Sequence, residues 1–189
     1  MRATPNAAES LVLALVLAAC SLSCGSSADD GADGGAAASD PSIFLAFGAS
    51  FDNFRSWESF HQEKGTVAGS VHVDGPRTTY LNHRPPAGST QFPVGTIIVK
   101  ELEVGDSATR EVFAMVKRGG DYNSNGATGW EWFALNNAPA GNAIIRWRGV
   151  GPPLGEKYGG DATGGCNSCH STARENDFVH STTVLVTNP

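Results

Sequence analysis

The sequence predicts an α+β class, mainly β: an antiparallel sheet with a few packed helices and a C-terminal helix carrying a Cys-x-x-Cys-His motif. Three observations lead there. Between about residues 70 and 147, short β-branched and aromatic runs are separated by clusters of Gly, Pro, Asn and Asp, with no long helical pattern. The run Thr96 to Val104, TIIVKELEV, alternates two faces, Ile98 and Lys100 against Ile97, Val99 and Glu101. Finally, Cys166-Asn167-Ser168-Cys169-His170 spaces two thiols and an imidazole so that one helical turn projects all three from roughly one side.

Taken in order, residues 1–20 read as a lipoprotein-type signal peptide. LVLALVLAA at 11–19 follows Arg2 and has the length of a signal core, short of the roughly 20 residues a membrane span needs. Leu17-Ala18-Ala19-Cys20 reads as a lipobox, so lipidated Cys20 would anchor the protein to a membrane without spanning it. Cys24 fits less well because Ser21 stands where an aliphatic residue is preferred. The bland alternative is a soluble periplasmic protein cleaved nearby; both place the chain outside the cytoplasm of a bacterium, periplasmic or anchored to the outer membrane.

Residues 21–40 form a flexible Gly/Ala/Ser/Asp tether that lacks the apolar surface to offset its ordering entropy. Its four aspartates supply most of the formal charge of −6. Residues 41–189 are then a single, mildly acidic domain, and no basic stretch interleaved with aromatics points to nucleic acid.

Within that domain, Asp52 to Glu63 places Phe54, Trp57, Phe60 and His61 at helical spacing after a capping Asp, which predicts a short amphipathic helix. Ser70 to Asn82 predicts a strand interrupted by turn chemistry at Asp74-Gly75-Pro76. The TIIVKELEV strand follows, then Glu111 to Lys117, a loop GGDYNSNGATG, Trp130 to Leu135 with both tryptophans facing one way, and Ala143 to Trp147. A Gly/Pro-rich passage, 149–165, leads to the cysteine motif.

Cys-x-x-Cys-His is the attachment pattern of c-type haem: two thiols bond the vinyl groups and the imidazole reaches the iron. The competing readings are a redox dithiol or half a zinc site. A thioredoxin-like dithiol should follow a strand early in a βαβ unit, and a zinc site needs a second ligand pair. Neither pattern is present, since His61, His72, His83 and His180 are scattered and the other cysteines lie near the N-terminus. Met115 reads as core packing before an iron ligand, and Trp57, Trp130, Trp132 and Trp147 read as core or cofactor-wall packing.

The order of several blocks carries a family resemblance. These are Phe54-Arg55-Ser56-Trp57, Arg77-Thr78-Thr79-Tyr80, Phe92 to Leu102, Trp130-Glu131-Trp132, Cys166 to His170 and Asn176-Asp177-Phe178-Val179. On them the domain resembles the cytochrome P-460 family and the related cytochromes c′-beta, which are β-sheet proteins with one c-type haem. The resemblance implies that Cys166 and Cys169 hold the haem and that His170 is the axial iron ligand, with an open opposite face. It implies that His170 hydrogen-bonds a carbonyl or carboxylate through its other ring nitrogen. Lys100 matches a lysine bonded to the haem edge, for which the neutral amine is needed. As a bare residue, Lys100 reads as a solvent-facing strand lysine paired with Glu103 or another acid. Arg77 matches a distal arginine able to donate hydrogen bonds to a bound nitrogen or oxygen species; as a bare residue it reads as half of an ion pair.

Phe113 falls where hydroxylamine-oxidising members carry an acid, and there it resembles the apolar pocket of the gas-binding relatives; Glu111, on the same strand face, is a possible substitute base. Two functions therefore follow. One is a haem oxidoreductase of the cytochrome P-460 type, acting on or binding hydroxylamine or nitric oxide and passing electrons to a periplasmic acceptor. The other is a non-catalytic nitric oxide binder or sensor, or an electron-transfer cytochrome. The resemblance also makes a homodimer a possible assembly.

Overall fold

A computed structural model describes residues 42–63, 75–103, 110–136, 143–153 and 165–187, all within the unit Ala38–Pro189. Its centre is a six-stranded antiparallel sheet in which each strand pairs with the next in sequence: β1 (Glu58–Gln62), β2 (Arg77–Leu81), β3 (Ile97–Glu103), β4 (Arg110–Lys117), β5 (Trp130–Asn136) and β6 (Ile144–Gly149). One short helix, α1 (Gly165–His170), and three 3₁₀ turns accompany it among the described residues. The mainly β, antiparallel expectation is met. The signal peptide, Cys20 and Cys24, the tether, the 70–74 part of the second predicted strand and His72 lie outside the described residues.

Strand alternation sends the apolar side chains to two cores. One face carries Leu81, Ile98, Leu102, Phe113, Met115, Trp130, Trp132 and Trp147, and against it pack Cys166, Phe178 and Val179 from the C-terminal segment. The other carries Tyr80, Ile97, Val99, Val116 and Phe133 beneath Phe51 and Phe54. The predicted division of β3 is the one found, as is the common direction of Trp130 and Trp132. On the second face two carboxylates are almost fully enclosed and neutralised by arginines: Glu101 meets Arg55 at 2.6 Å and Arg110 at 3.1 Å, and Glu131 meets Arg148 at 2.7 Å and Arg118 at 3.2 Å. Such pairing is what makes a buried charge tolerable.

The helix predicted over Asp52 to Glu63 does not form. After a 3₁₀ turn at Gly48–Phe51, the segment makes a second at Phe54–Ser56, with Asn53 between them in the left-handed region at φ 57°, and then extends into β1. The reason lies in where its aromatics go. Phe54 and Trp57 pack on one side of the sheet and Phe60 on the other. A single helix face cannot serve both, whereas a turn followed by an edge strand paired to β2 can.

Register sets up the site. Thr79, Lys100, Phe113 and Ala134 are successive cross-strand partners, and so are Leu81, Ile98, Met115 and Trp132. These two neighbouring rows share a sheet face.

Candidate functional site

The two rows form one wall of a hollow whose opposite side comes from the C-terminal segment. Thr79, Ile98, Lys100, Phe113, Met115 and Trp132 face His170, Val179, His180 and Ser181. The enclosed space is about 40 Å³, within a concavity of about 440 Å³ that includes its open mouth. The inner part has room for a few water-sized molecules, at roughly 10–15 Å³ each by this measure. A larger group would have to sit in the mouth.

His170 sits at the end of α1, 8 % exposed, its ring 4.6 Å from that of Trp132 and 5.7 Å from that of His180. Its Nδ1 lies 2.7 Å from the carbonyl oxygen of Phe178. A carbonyl only accepts, so Nδ1 carries the proton and Nε2 keeps its lone pair. Burial first, and the Lys100 charge second, hold the imidazole pKa down at about 3, against the Phe178 hydrogen bond, so the neutral ring persists at any physiological pH.

Cys166 is 2 % exposed in the apolar core, where burial pushes its thiol up to about 12. Cys169 is half-buried on the same helix, and no disulfide joins the two. The backbone carbonyl of Cys169 accepts from Thr172 Oγ1 at 2.7 Å and from His180 Nε2 at 2.9 Å. Among the described residues no group of three His, Cys, Asp or Glu side chains is placed to hold a metal ion by itself.

The structure brings Lys100, Phe113 and Met115 to the hollow together with His170. The Lys100 pKa is lowered to about 8, by burial first and by the nearby Arg77 guanidinium second, while Cys169 acts the other way. Arg77 is on the same sheet face but not on the hollow's lining; it is buried and donates from Nε to Gln62 Oε1 at 2.8 Å. Glu111 is also outside the lining, and its buried Oε2 has no hydrogen-bond partner. Trp57 packs against Phe54 on the far face, away from the hollow.

Comparison with protein-family models, curated proteins and solved structures finds no match for this chain.

Sequence reading missed the residues that dock α1. Asn167, one of the two unspecified positions of the motif, accepts at Oδ1 from Asn123 Nδ2 at 2.8 Å and Trp132 Nε1 at 3.0 Å, and donates from Nδ2 to Asn123 Oδ1 at 2.7 Å and the Val150 carbonyl at 3.0 Å. The clue available in sequence was only that an amide can both donate and accept. The β4–β5 loop reaches this amide because Gly126 has no side chain: a Cβ there would overlap the Asn167 carboxamide. Gly126→Ala should therefore lower stability by about 2 kcal/mol, combining overpacking with lost buried hydrogen bonds. Urea unfolding checks it, and a change below 0.5 kcal/mol would mean the loop moves aside freely.

Proposed function

We propose that this chain is an exported c-type haem protein whose hollow takes a small nitrogen species such as hydroxylamine or nitric oxide. The observation that carries the reading is the union, on one turn of α1, of Cys166, Cys169 and a His170 already committed at Nδ1 and free to coordinate at Nε2. The donor set fits haem c: two thiols for two vinyl groups and a neutral imidazole for iron. Cys166 and Cys169 would hold the group by adding across its two vinyl groups, each S–H replaced by S–C with the proton going to the other vinyl carbon, an addition that would need no oxidant. When bound, haem supplies an iron that holds small ligands and exchanges single electrons.

The chain's own residues define what reaches that centre. Phe113, Met115 and Ile98 exclude water and favour an uncharged ligand, while Lys100 brings an amine that titrates near neutrality. The resemblance to the cytochrome P-460 family supports oxidoreductase activity and a bond between Lys100 and the haem edge. The signal-peptide core at 11–19 and the Leu17-Ala18-Ala19-Cys20 lipobox support export and lipid anchoring at Cys20, from where electrons would pass to a periplasmic acceptor. Among the described residues lining the hollow there is no carboxylate, and Phe113 stands where a proton acceptor would be useful. That favours a second reading, a gas-binding or electron-transfer protein without turnover.

Expression with a haem-attachment system, followed by haem staining of a denaturing gel, tests the first claim: a stained band is expected, and an unstained one overturns it. The reduced spectrum and the mass of the Lys100 peptide then separate the two readings. A broadened, red-shifted main band with a haem-linked Lys100, and reduction of an electron acceptor by hydroxylamine, are expected of the enzyme. An ordinary c-type spectrum with unmodified Lys100 and no turnover leaves the binder.

A further inference from the structure

The carbonyl that holds His170 belongs to a costly piece of backbone. Asp177 and Phe178 are consecutive non-glycine residues in the left-handed region, at φ 48° and 68°. Such a conformation is strained for a non-glycine residue and persists only where its surroundings impose it.

The surroundings here are specific. Lys117 Nζ donates to both carboxylate oxygens of Asp177, at 2.7 and 2.8 Å, and Asp177 Oδ2 also accepts from the Phe92 backbone N–H at 2.9 Å. The Asp177 carbonyl accepts from Trp130 Nε1 at 2.8 Å, and the Phe178 N–H donates to the Ala173 carbonyl at 2.7 Å. Lys117 lies 5.1 Å from the Trp130 ring centroid and is 6 % exposed, against 3 % for Asp177. Lys117 and Trp130 are themselves cross-strand partners, two residues along β4 and β5 from Met115 and Trp132 of the hollow. The strands that wall the hollow therefore also grip the turn behind His170.

The geometry points to Lys117, Asp177 and Trp130 as positioning residues that aim the Phe178 carbonyl at His170 Nδ1 and so set the donor strength of Nε2. This inference rests on the haem reading for its redox consequence, though not for its effect on the imidazole. A carbonyl held on Nδ1–H pushes electron density towards Nε2, which stabilises the oxidised metal and lowers its potential. An ion pair needed only for folding would instead be replaceable by apolar side chains without consequence for His170.

Lys117→Met combined with Asp177→Leu removes the charges while keeping apolar bulk. Trp130→Phe is the milder companion, removing one indole N–H and keeping the ring. In wild-type chain without haem, nitrogen NMR should show His170 as a single Nδ1–H tautomer. Both variants should mix the tautomers and speed exchange of the ring proton about tenfold, Trp130→Phe less than the double variant. In haem-loaded protein the double variant should raise the midpoint potential by about 59 mV, a tenfold change in a one-electron equilibrium. A folded variant of either kind with an unchanged tautomer and exchange rate overturns the proposal, and if the double variant does not fold, Trp130→Phe decides. Absence of covalent haem from the wild type overturns the haem reading alone, because the tautomer measurement needs no haem.

Discussion

Cys166→Ala should abolish or cripple stable haem attachment, so that the haem-stained band is lost or strongly weakened, while leaving the sheet folded. Cys166 occupies 2 % exposed space in the core beside the sheet, so loss of its sulfur alone removes about 1 kcal/mol of packing. The functional loss should be far larger, since one of two thioether bonds disappears and attachment rests on Cys169. The same substitution discriminates against redox exchange. A thiol raised to about 12 is ionised to roughly one part in 10⁵ at pH 7, and the thiolate is the species that attacks a disulfide or binds zinc. Iodoacetamide should accordingly modify Cys166 in the folded, haem-free chain far more slowly than a free thiol in solution. Fast alkylation of Cys166 at pH 7, together with no haem staining of the wild type, would instead favour the dithiol reading.

The parts legible in the sequence are those that local period determines. In β3 the alternation of Ile97, Val99 and Glu101 with Ile98 and Lys100 set Lys100 on one face with Ile98, and the structure then puts that face over His170. The spacing of Cys166, Cys169 and His170 placed all three on α1. Where local pattern served two masters, it misled. Phe54, Trp57 and Phe60 satisfy helical spacing, yet tertiary structure sends Phe60 to the opposite side of the sheet, and nothing local records that division.

The meeting of Lys100 with Phe113 is a third kind of case. Each lies on an identifiable strand, but their pairing depends on a register that only strand order and turn length determine. Least legible is the support of His170. Its partner is a main-chain carbonyl, which has no side-chain signature, made available by a left-handed Phe that propensity would never place there. Asp177, by contrast, belongs to a residue type enriched at positive φ. Its partnership with Lys117 spans sixty positions and is invisible without the fold.

Lys100→Met should stabilise the haem-free chain by about 3 kcal/mol at pH 7, an unusual sign for a pocket substitution. The ordinary lysine value is 10.5 and the folded one about 8, and each unit corresponds to 1.36 kcal/mol. Below pH 8 both folded and unfolded chains carry the ammonium, and the folded state bears the full penalty of keeping a cation near Arg77 and away from water. Between about 8 and 10.5 the folded chain has released the proton while the unfolded chain still binds it, so wild-type stability rises with pH across this window. Above 10.5 both are neutral and the penalty is gone. Wild type and Lys100→Met should therefore differ most below pH 8 and converge towards pH 10.5, as urea unfolding at stepped pH would record. Methionine also removes the charge that helps to depress His170, so the imidazole should titrate at higher pH in the variant. In the loaded protein the same substitution should shift the spectrum towards that of an ordinary c-type haem. A stability gap near zero at pH 7 and flat with pH would mean that the Lys100 ammonium is well hydrated. It would then be charged throughout the physiological range, unable to serve as a base or bond the haem edge, and the gas-binding reading would stand in place of the enzyme.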